Sequence, residues 1–387
     1  MSARSPVMPA YQPALRGGVH TIYWVGILMA QHFSQSKKYR DLEIFEITRL
    51  TEEEAWQKFV MMRWGSLATM PCPICGAIDT HYPRRARKQW RCKHCDAVFS
   101  VTTDTPFKNR RLSFGKLLIL IYWFVVEPKG AAANKLLAPF GITLRTAYIN
   151  FGKIREAIFQ TMDLTPLTGN VQIDGAHCCG KPRRPRKRNK MTSGIANNIL
   201  RNRKASIVPP TRGMSIEPWN KEKLENRRIV LVLRELFPEK GKGARRTIAV
   251  VVKAENRKNV IPIIQKYVSK GAMIETDDGH AYSTLSAWYD HQSVNHSKEY
   301  CRDDGVNNNQ AESYIGRLRR SEYGTYHGLR PQYLAFYAAE MAWREDVRVL
   351  SLKTKFENLF KRIFQSDISR AWRGYNQGHR LGFEYLG

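Results

Sequence analysis

Cys72-Pro-Ile-Cys75 and Cys92-Lys-His-Cys95 are two Cys-x-x-Cys knuckles sixteen residues apart, and no other feature restricts the fold of this sequence so tightly. Each knuckle sets two thiolates on one tight turn, and two such turns complete a tetrahedron closed to solvent. The spacing predicts a four-cysteine site for structural Zn2+, with Cys72, Cys75, Cys92 and Cys95 as its ligands. Between the knuckles lie Arg84, Arg85, Arg87, Lys88 and Arg91, beside Trp90. A ribbon carrying those cations can hold phosphates; the competing reading is a hairpin with solvated charges.

Charge points the same way. Lysine and arginine number 63 against 34 acids, a formal net charge of +29. Such an excess repels itself unless a polyanion neutralises it, so nucleic acid is the expected partner, with membrane surfaces, ribosomal RNA and heparin-like polymers as competitors. Hydrophobic residues make up 43%, enough for real cores, and 387 residues suffice for two or three domains. The apolar stretch Tyr23–Ala30 is too short to span a bilayer and lacks the marks of a signal peptide. No membrane partner is expected, and the location reads as cytoplasmic and nucleoid-associated. In that reducing setting seven cysteines are metal ligands or buried thiols rather than disulfides.

Residues 1–50 show no periodicity and form an N-terminal extension without assigned function. Thr51 and Glu54 make a capping box that opens a helix, so 51–110 reads as a helix plus zinc ribbon. Residues 111–165 read as a helical domain: an apolar helix Leu112–Val126, then helical patterns at Ala131–Phe140 and Thr143–Gln160 around Gly141. This pair has the form of a helix-turn-helix, in which Thr143, Arg145 and Thr146 face DNA, with Tyr148 and Lys153 flanking. A plain helical hairpin is the alternative. From 166 to 350 short strand patterns (Val171–Ile173, Ile229–Leu233, Thr247–Val252, Met273–Glu275) alternate with helices at Asn259–Val268, Ala311–Arg320 and Pro331–Arg344. A basic insertion, 181–226, interrupts this domain. Its residues 181–204 hold ten lysines and arginines and no acid, with Arg183, Arg184, Arg186, Lys187 and Arg188 as candidate DNA contacts. Residues 351–387 read as a C-terminal helical tail. The fold class is α+β and multidomain.

Asp174 follows one strand pattern, Asp277 follows another, and Glu312 opens a helical pattern with thirty-four residues between it and Asp277. Two aspartates on neighbouring strands and a glutamate from a packed helix can converge on a pair of divalent ions, and hard oxygen donors suit Mg2+ or Mn2+. Such a pair, about 3.5–4 Å apart, serves in-line displacement at a phosphodiester. Ordinary capping and salt-bridging acids are the alternative.

The order of these parts resembles the zinc-ribbon DDE transposases of bacterial insertion sequences, the ISXO-type group, from about Trp56 to Phe360. Arg63-Trp64 before the first knuckle, Phe99-Ser-Val-Thr-Thr-Asp-Thr-Pro-Phe107 after the second, Thr276-Asp277 with Tyr282, Val294-Asn-His-Ser297 and Tyr323-Gly-Thr-Tyr-His327 carry the resemblance. It implies a ribonuclease-H-like catalytic domain and a double-stranded DNA substrate. It also implies catalytic Asp174, Asp277 and Glu312, which cut and join transposon ends and target DNA as a homodimer or higher oligomer. Asn309 competes with Glu312 as third ligand, and an ionised carboxylate is the better one. Arg319 shares a helical face with Glu312 and could grip a phosphate; the alternative is a surface arginine. His296 either supports the site or packs. His177, Cys178, Cys179 and Cys301 fit no zinc spacing. Two departures stand out: Gly175 follows Asp174 where the family commonly has glutamate, and Asn307-Asn308 replace the usual His-Thr. The alternative function is a zinc-dependent DNA-binding regulator with an inactive C-terminal domain.

Overall fold

The computed structural model describes Phe33 and residues 36–78, 81–179, 225–239, 241–294 and 306–387. After a one-turn α1 (Ile44–Thr48), α2 (Glu52–Trp64) starts as its capping chemistry dictates. The Glu54 amide donates to the Thr51 hydroxyl, and the Thr51 amide donates to the Glu54 carboxylate at 2.8 Å. Strands β1 (His81–Arg84), β2 (Gln89–Cys92) and β3 (Val98–Ser100) form an antiparallel ribbon. The ribbon alone is too thin to bury its aromatics. Trp90 therefore stacks between Trp56 of α2 and Phe99 of β3, with ring centroids 5.6 and 5.7 Å away.

Helix α3 (Phe114–Val126) is capped by Ser113 and buries Leu117, Leu118, Leu120, Ile121 and Phe124 completely. The single helix expected over Ala131–Phe140 is instead a 3-10 turn, Ala133–Leu136, followed by a one-turn α4 (Leu137–Phe140). Pro139 has no amide to donate to the Lys135 carbonyl, so the ladder cannot run through. Gly141, at φ +57°, closes α4, and Thr143 caps α5 (Leu144–Gln160).

A five-stranded mixed sheet follows. Strands β4 (Asn170–Cys179), β5 (Arg227–Leu236) and β6 (Ala244–Val252) are antiparallel neighbours. Helix α6 (Arg257–Tyr267) leads to β7 (Met273–Asp277) and β8 (Asp290–Val294), both parallel to β4, giving the order β6-β5-β4-β7-β8. The edge strand β8 is too polar in sequence to announce itself. Val171, Ile173, Leu231, Ile248 and Ile274 pack against α6. On the other face Ala176, Cys178, Val230 and Val232 pack against α7 (Asn309–Arg320) and α8 (Pro331–Asp346).

Helix α9 (Leu352–Gln365) ends at Gln365, which corrects the expected helical tail: beyond it the described chain holds only a 3-10 turn, Tyr375–Gln377. Ser366 turns to extended backbone and ends α9, Gly374 and Gly378, both at positive φ, bound the 3-10 turn, and single aromatics dock instead. Trp372 lies on Gly152 of α5, where a Cβ would meet its ring at 2.1 Å. The Gly387 amide donates to the Val251 carbonyl, 3.1 Å away.

One apolar core joins the ribbon, α2, α3, α5 and α9 to Ala339, Trp343 and Val347 of α8 and the residue after it. A buried ionic knot locks this union. Glu340 accepts from Arg155 of α5 at 2.6 Å, from Arg344 at 2.7 Å and from Tyr326 at 2.8 Å. The Arg155 and Glu340 side chains are 2% and 0% exposed. Removing one partner strands a buried charge, so Glu340→Ala is expected to cost about 3–5 kcal/mol in urea denaturation. A loss below about 1 kcal/mol would show the knot to be dispensable.

Candidate active site and zinc centre

The two knuckles fold alike. The Cys72 amide donates to the Ala77 carbonyl at 2.8 Å and the Cys92 amide to Ala97 at 2.9 Å. Gly76 and Asp96 occupy the same left-handed position in each turn, at φ +75° and +61°. All four sulfurs lie within 4.8 Å of one another, with Cys72–Cys95 at 3.7 Å and Cys75–Cys92 at 3.6 Å. A tetrahedron with Zn–S bonds of about 2.3 Å has edges of about 3.8 Å, so the quartet is already spaced for zinc. The sulfurs cannot all ionise without a cation. Burial opposes ionisation of Cys92, yet the Cys95 and His94 amides draw it down to about 6. Cys95, despite the Ala97 amide, is pushed up to about 12 by burial and its sulfur neighbours.

The candidate aspartates lie on the five-stranded sheet, where β7 ends beside the middle of the central strand β4. Ile173 pairs with Thr276, so Asp174 and Asp277 follow side by side on parallel β4 and β7. Burial, then the charges of Asp277, Glu255 and Glu312, push the Asp174 carboxyl up to about 7, against a bond from the Gly175 amide. Asp277 accepts from the Gly279 amide at 3.1 Å, whereas its neighbour Asp278 is exposed. A Cβ on Gly279 would lie 2.8 Å from Asp277 Oδ1 and 3.3 Å from the Tyr282 ring, which explains the glycine and the tyrosine's fixed register.

Glu312 stands one turn into α7, and the start of that helix is tied to the sheet by Gln172, Arg234 and Asn308. Gln172, two residues before Asp174 and on the same face, accepts from the Gln310 amide at 2.8 Å and donates to the Asn307 carbonyl at 2.7 Å. Arg234 of β5 donates to the Gln310 carbonyl at 2.7 Å, and Asn308, fully buried, donates to the Ile173 carbonyl at 3.3 Å. Asn308 thus has a structural post that histidine or threonine would fill differently. Asn309 is exposed at the first position of α7. A polar residue inside the apolar run Val171-Gln-Ile173 was the available signal for Gln172.

Two protein-family models match the chain: an ISXO2-like transposase domain over residues 166–346 and a transposase zinc-ribbon domain over residues 50–98. The chain belongs to the zinc-ribbon, ISXO2-like transposases. No curated protein and no solved structure matches it.

In this transposase the second residue missed from sequence is Glu255, in the turn between β6 and α6. Its carboxylate rests on Gly175: a Cβ there would meet Oε1, Cδ and Oε2 at 2.3, 2.4 and 2.5 Å. The departure at Gly175 therefore has a steric cause. Tyr282 donates to Glu255 Oε1 at 2.8 Å from a ring that is 1% exposed. Burial, then the Asp277 charge, raise the Glu255 carboxyl above its usual range, partly offset by the tyrosine. No contact announces Glu255 in sequence, because the fold brings it back across β5.

The cations around these centres divide by accessibility. Arg84, Arg85 and Arg87 are exposed on the ribbon, and Arg145 is exposed at the start of α5. Lys88 is tied to α2 instead, 3.0 Å from Glu53 and donating to the Glu52 carbonyl. Lys153 is half-buried, and desolvation lowers its pKa, while Tyr148 packs edge-on against Trp372, 5.2 Å between centroids. A groove of about 530 Å3 beside Asp277 and Glu255 is lined by His177, Arg227, Lys253 and His280. Burial, then the charges of Arg227 and Arg319, lower the His177 pKa, and Arg319 is exposed on α7. Arg183, Arg184, Arg186, Lys187, Arg188, His296 and Cys301 lie outside the described residues. Among those described, no helix is long and apolar enough to cross a membrane.

Proposed function

We propose that this transposase cuts the strand ends of its own element and joins them to target DNA, with Asp174, Asp277 and Glu312 holding a pair of Mg2+ or Mn2+ ions. The observation that carries the reading is the pair of aspartates on adjacent parallel strands, crowded with further acids until Asp174 resists ionisation. Acids gathered in this way favour a bound cation, and hard divalent cations suit an all-oxygen donor set. When bound, such ions activate an attacking oxygen and stabilise a leaving one at phosphorus. The strand order β6-β5-β4-β7-β8, three antiparallel strands then two parallel, supports a ribonuclease-H-like domain.

The protein's own part is to place DNA against these carboxylates. Gln172, Asn308 and Arg234 fix the start of α7, and hence Glu312, against β4. Arg319, two turns further along α7, is positioned to hold a phosphate, and Arg84, Arg85, Arg87 and Arg145 are free to grip the duplex through backbone contacts. Joining two ends to one target implies at least a dimer. A DNA-binding regulator would have no use for acids on adjacent central strands.

The test is incubation of the full chain and Mn2+ with duplexes bearing the inverted repeats that bracket its gene, plus supercoiled plasmid. Nicks at the repeat ends and joined products on the plasmid are expected. With neither product, the reading fails.

A further inference from the structure

Glu255 is a charged side chain that the triad does not use, brought to the triad from the opposite face of the sheet. Asp174 and Asp277 share the face covered by α7, together with Gln172 and Ala176. Gly175 lies on the other face with Val171 and Ile173, under the start of α6. There the chain leaving β6 turns over the sheet edge before Asn256, whose side chain accepts from the Asn259 amide at 3.0 Å to open α6. The turn lays the Glu255 carboxylate on the bare Cα of Gly175. Both devices that hold it are specific. Any side chain at 175 would occupy the carboxylate's place, since even a Cβ would come within 2.3 Å of Oε1. The Tyr282 phenol, anchored in the apolar core five residues after Asp277, binds that same oxygen. A glutamate serving only as a surface charge needs neither a glycine cradle nor a buried phenol. Burying a carboxylate among like charges is costly unless a cation compensates it.

We propose that Glu255 is a fourth carboxylate of the metal site, contributing an oxygen to one of the two ions from the α6 face, with Gly175 and Tyr282 as its positioning residues. This rests on the metal-dependent reading of Asp174, Asp277 and Glu312 above. In this arrangement the ions take ligands from both faces of the sheet, beside the end of β7. Gly175 and Glu255 form a matched pair: the space given up at one position is filled by the carboxylate of the other.

Mn2+ alone, titrated into the DNA-free full chain and followed by the electron spin resonance of unbound manganese, tests this without reference to catalysis. The native chain is expected to take up two ions per active site. Glu255→Gln is expected to weaken one of them by about ten- to a hundredfold and to leave the other within about threefold. Gly175→Ala, which displaces the carboxylate without removing it, should weaken the same ion, and Tyr282→Phe should do so more mildly. Zinc content at the cysteines and the far-ultraviolet circular dichroism are read in parallel to show that each variant is folded. Native manganese uptake in both Glu255→Gln and Gly175→Ala overturns the proposal. Native uptake in Asp277→Asn would overturn the metal reading itself. If Asp277→Asn loses both ions while Glu255→Gln keeps both, the triad stands and only the fourth ligand is wrong.

Discussion

Asp174→Asn is expected to give a protein that binds DNA, melts later than the native chain in the absence of divalent metal, and neither cuts nor joins. The loss of activity should be at least about a thousandfold, because the ion pair it helps to hold supplies several kcal/mol to the transition state. The gain in stability follows from the site's charge. Burial and three neighbouring acids push the folded-state carboxyl up to about 7 from an ordinary value of 3.8. A carboxyl raised in this way costs nothing below its unfolded pKa. Its penalty grows as pH rises from there and is complete above its folded pKa. The metal-free native chain therefore carries the full penalty at pH 8 and a part of it at pH 5. Asparagine carries none at either pH and can still accept from the Gly175 amide. A rise in Tm on the order of 5 °C at pH 8, shrinking at pH 5, is expected in thermal unfolding with chelated divalent metal. Added Mn2+ should stabilise the native chain and not the variant. A variant that melts earlier at both pH values would mean that Asp174 is a structural acid, and retained cutting would remove it from the site.

Much of this architecture can be read from residue patterns, and the failures have physical causes. The knuckles are legible because sulfur ligation needs fixed local spacing, and the family matches over 50–98 and 166–346 agree with the parts read from sequence. The caps at Thr51 and Thr143 are legible because a cap is a contact three residues long. Asp174 and Asp277 could be picked out because each ends an apolar run. Glu255 could not: it meets Gly175 only after β5 and β6 have been laid beside β4, a contact eighty residues apart in sequence. The polar edge strand β8 and the docked segment beyond Gln365 escape for a similar reason. Their stability comes from what they lie against, β7 in one case and α5, β5 and β6 in the other. Lys88 differs from its neighbours in the ribbon. Its company of arginines suggested phosphate, but Glu53 and the Glu52 carbonyl hold it on α2.

Removal of zinc should have the other large effect, and it should be selective. Structural zinc in small domains supplies about 10–16 kcal/mol of folding free energy, so a ribbon of three short strands has no means of keeping its turns without it. Cys75→Ser and Cys92→Ser each take one thiolate from the quartet and are expected to reduce zinc content from one ion per chain to near zero by atomic spectroscopy. Arg84, Arg85 and Arg87 lie between the two knuckles and lose their common frame with it, so affinity for the element's ends should fall about a hundredfold or more. Trp90 reports on the same event: released from between Trp56 and Phe99, its fluorescence should shift to the red. The sheet of β4 to β8 builds its own cores with α6, α7 and α8, none of which includes a ribbon residue. Its far-ultraviolet signal and its manganese uptake should therefore survive, although the ribbon's share of the core around α2 and α3 will lower the melting temperature. Cys178→Ser serves as the contrast, since that buried thiol lies outside the quartet and should leave zinc content unchanged. Full zinc in Cys75→Ser, or unaltered end binding by the stripped protein, would dissolve the link between the ribbon and DNA. Loss of manganese uptake together with zinc would instead mean that the ribbon also frames the carboxylates, through α8, the helix that the two regions share.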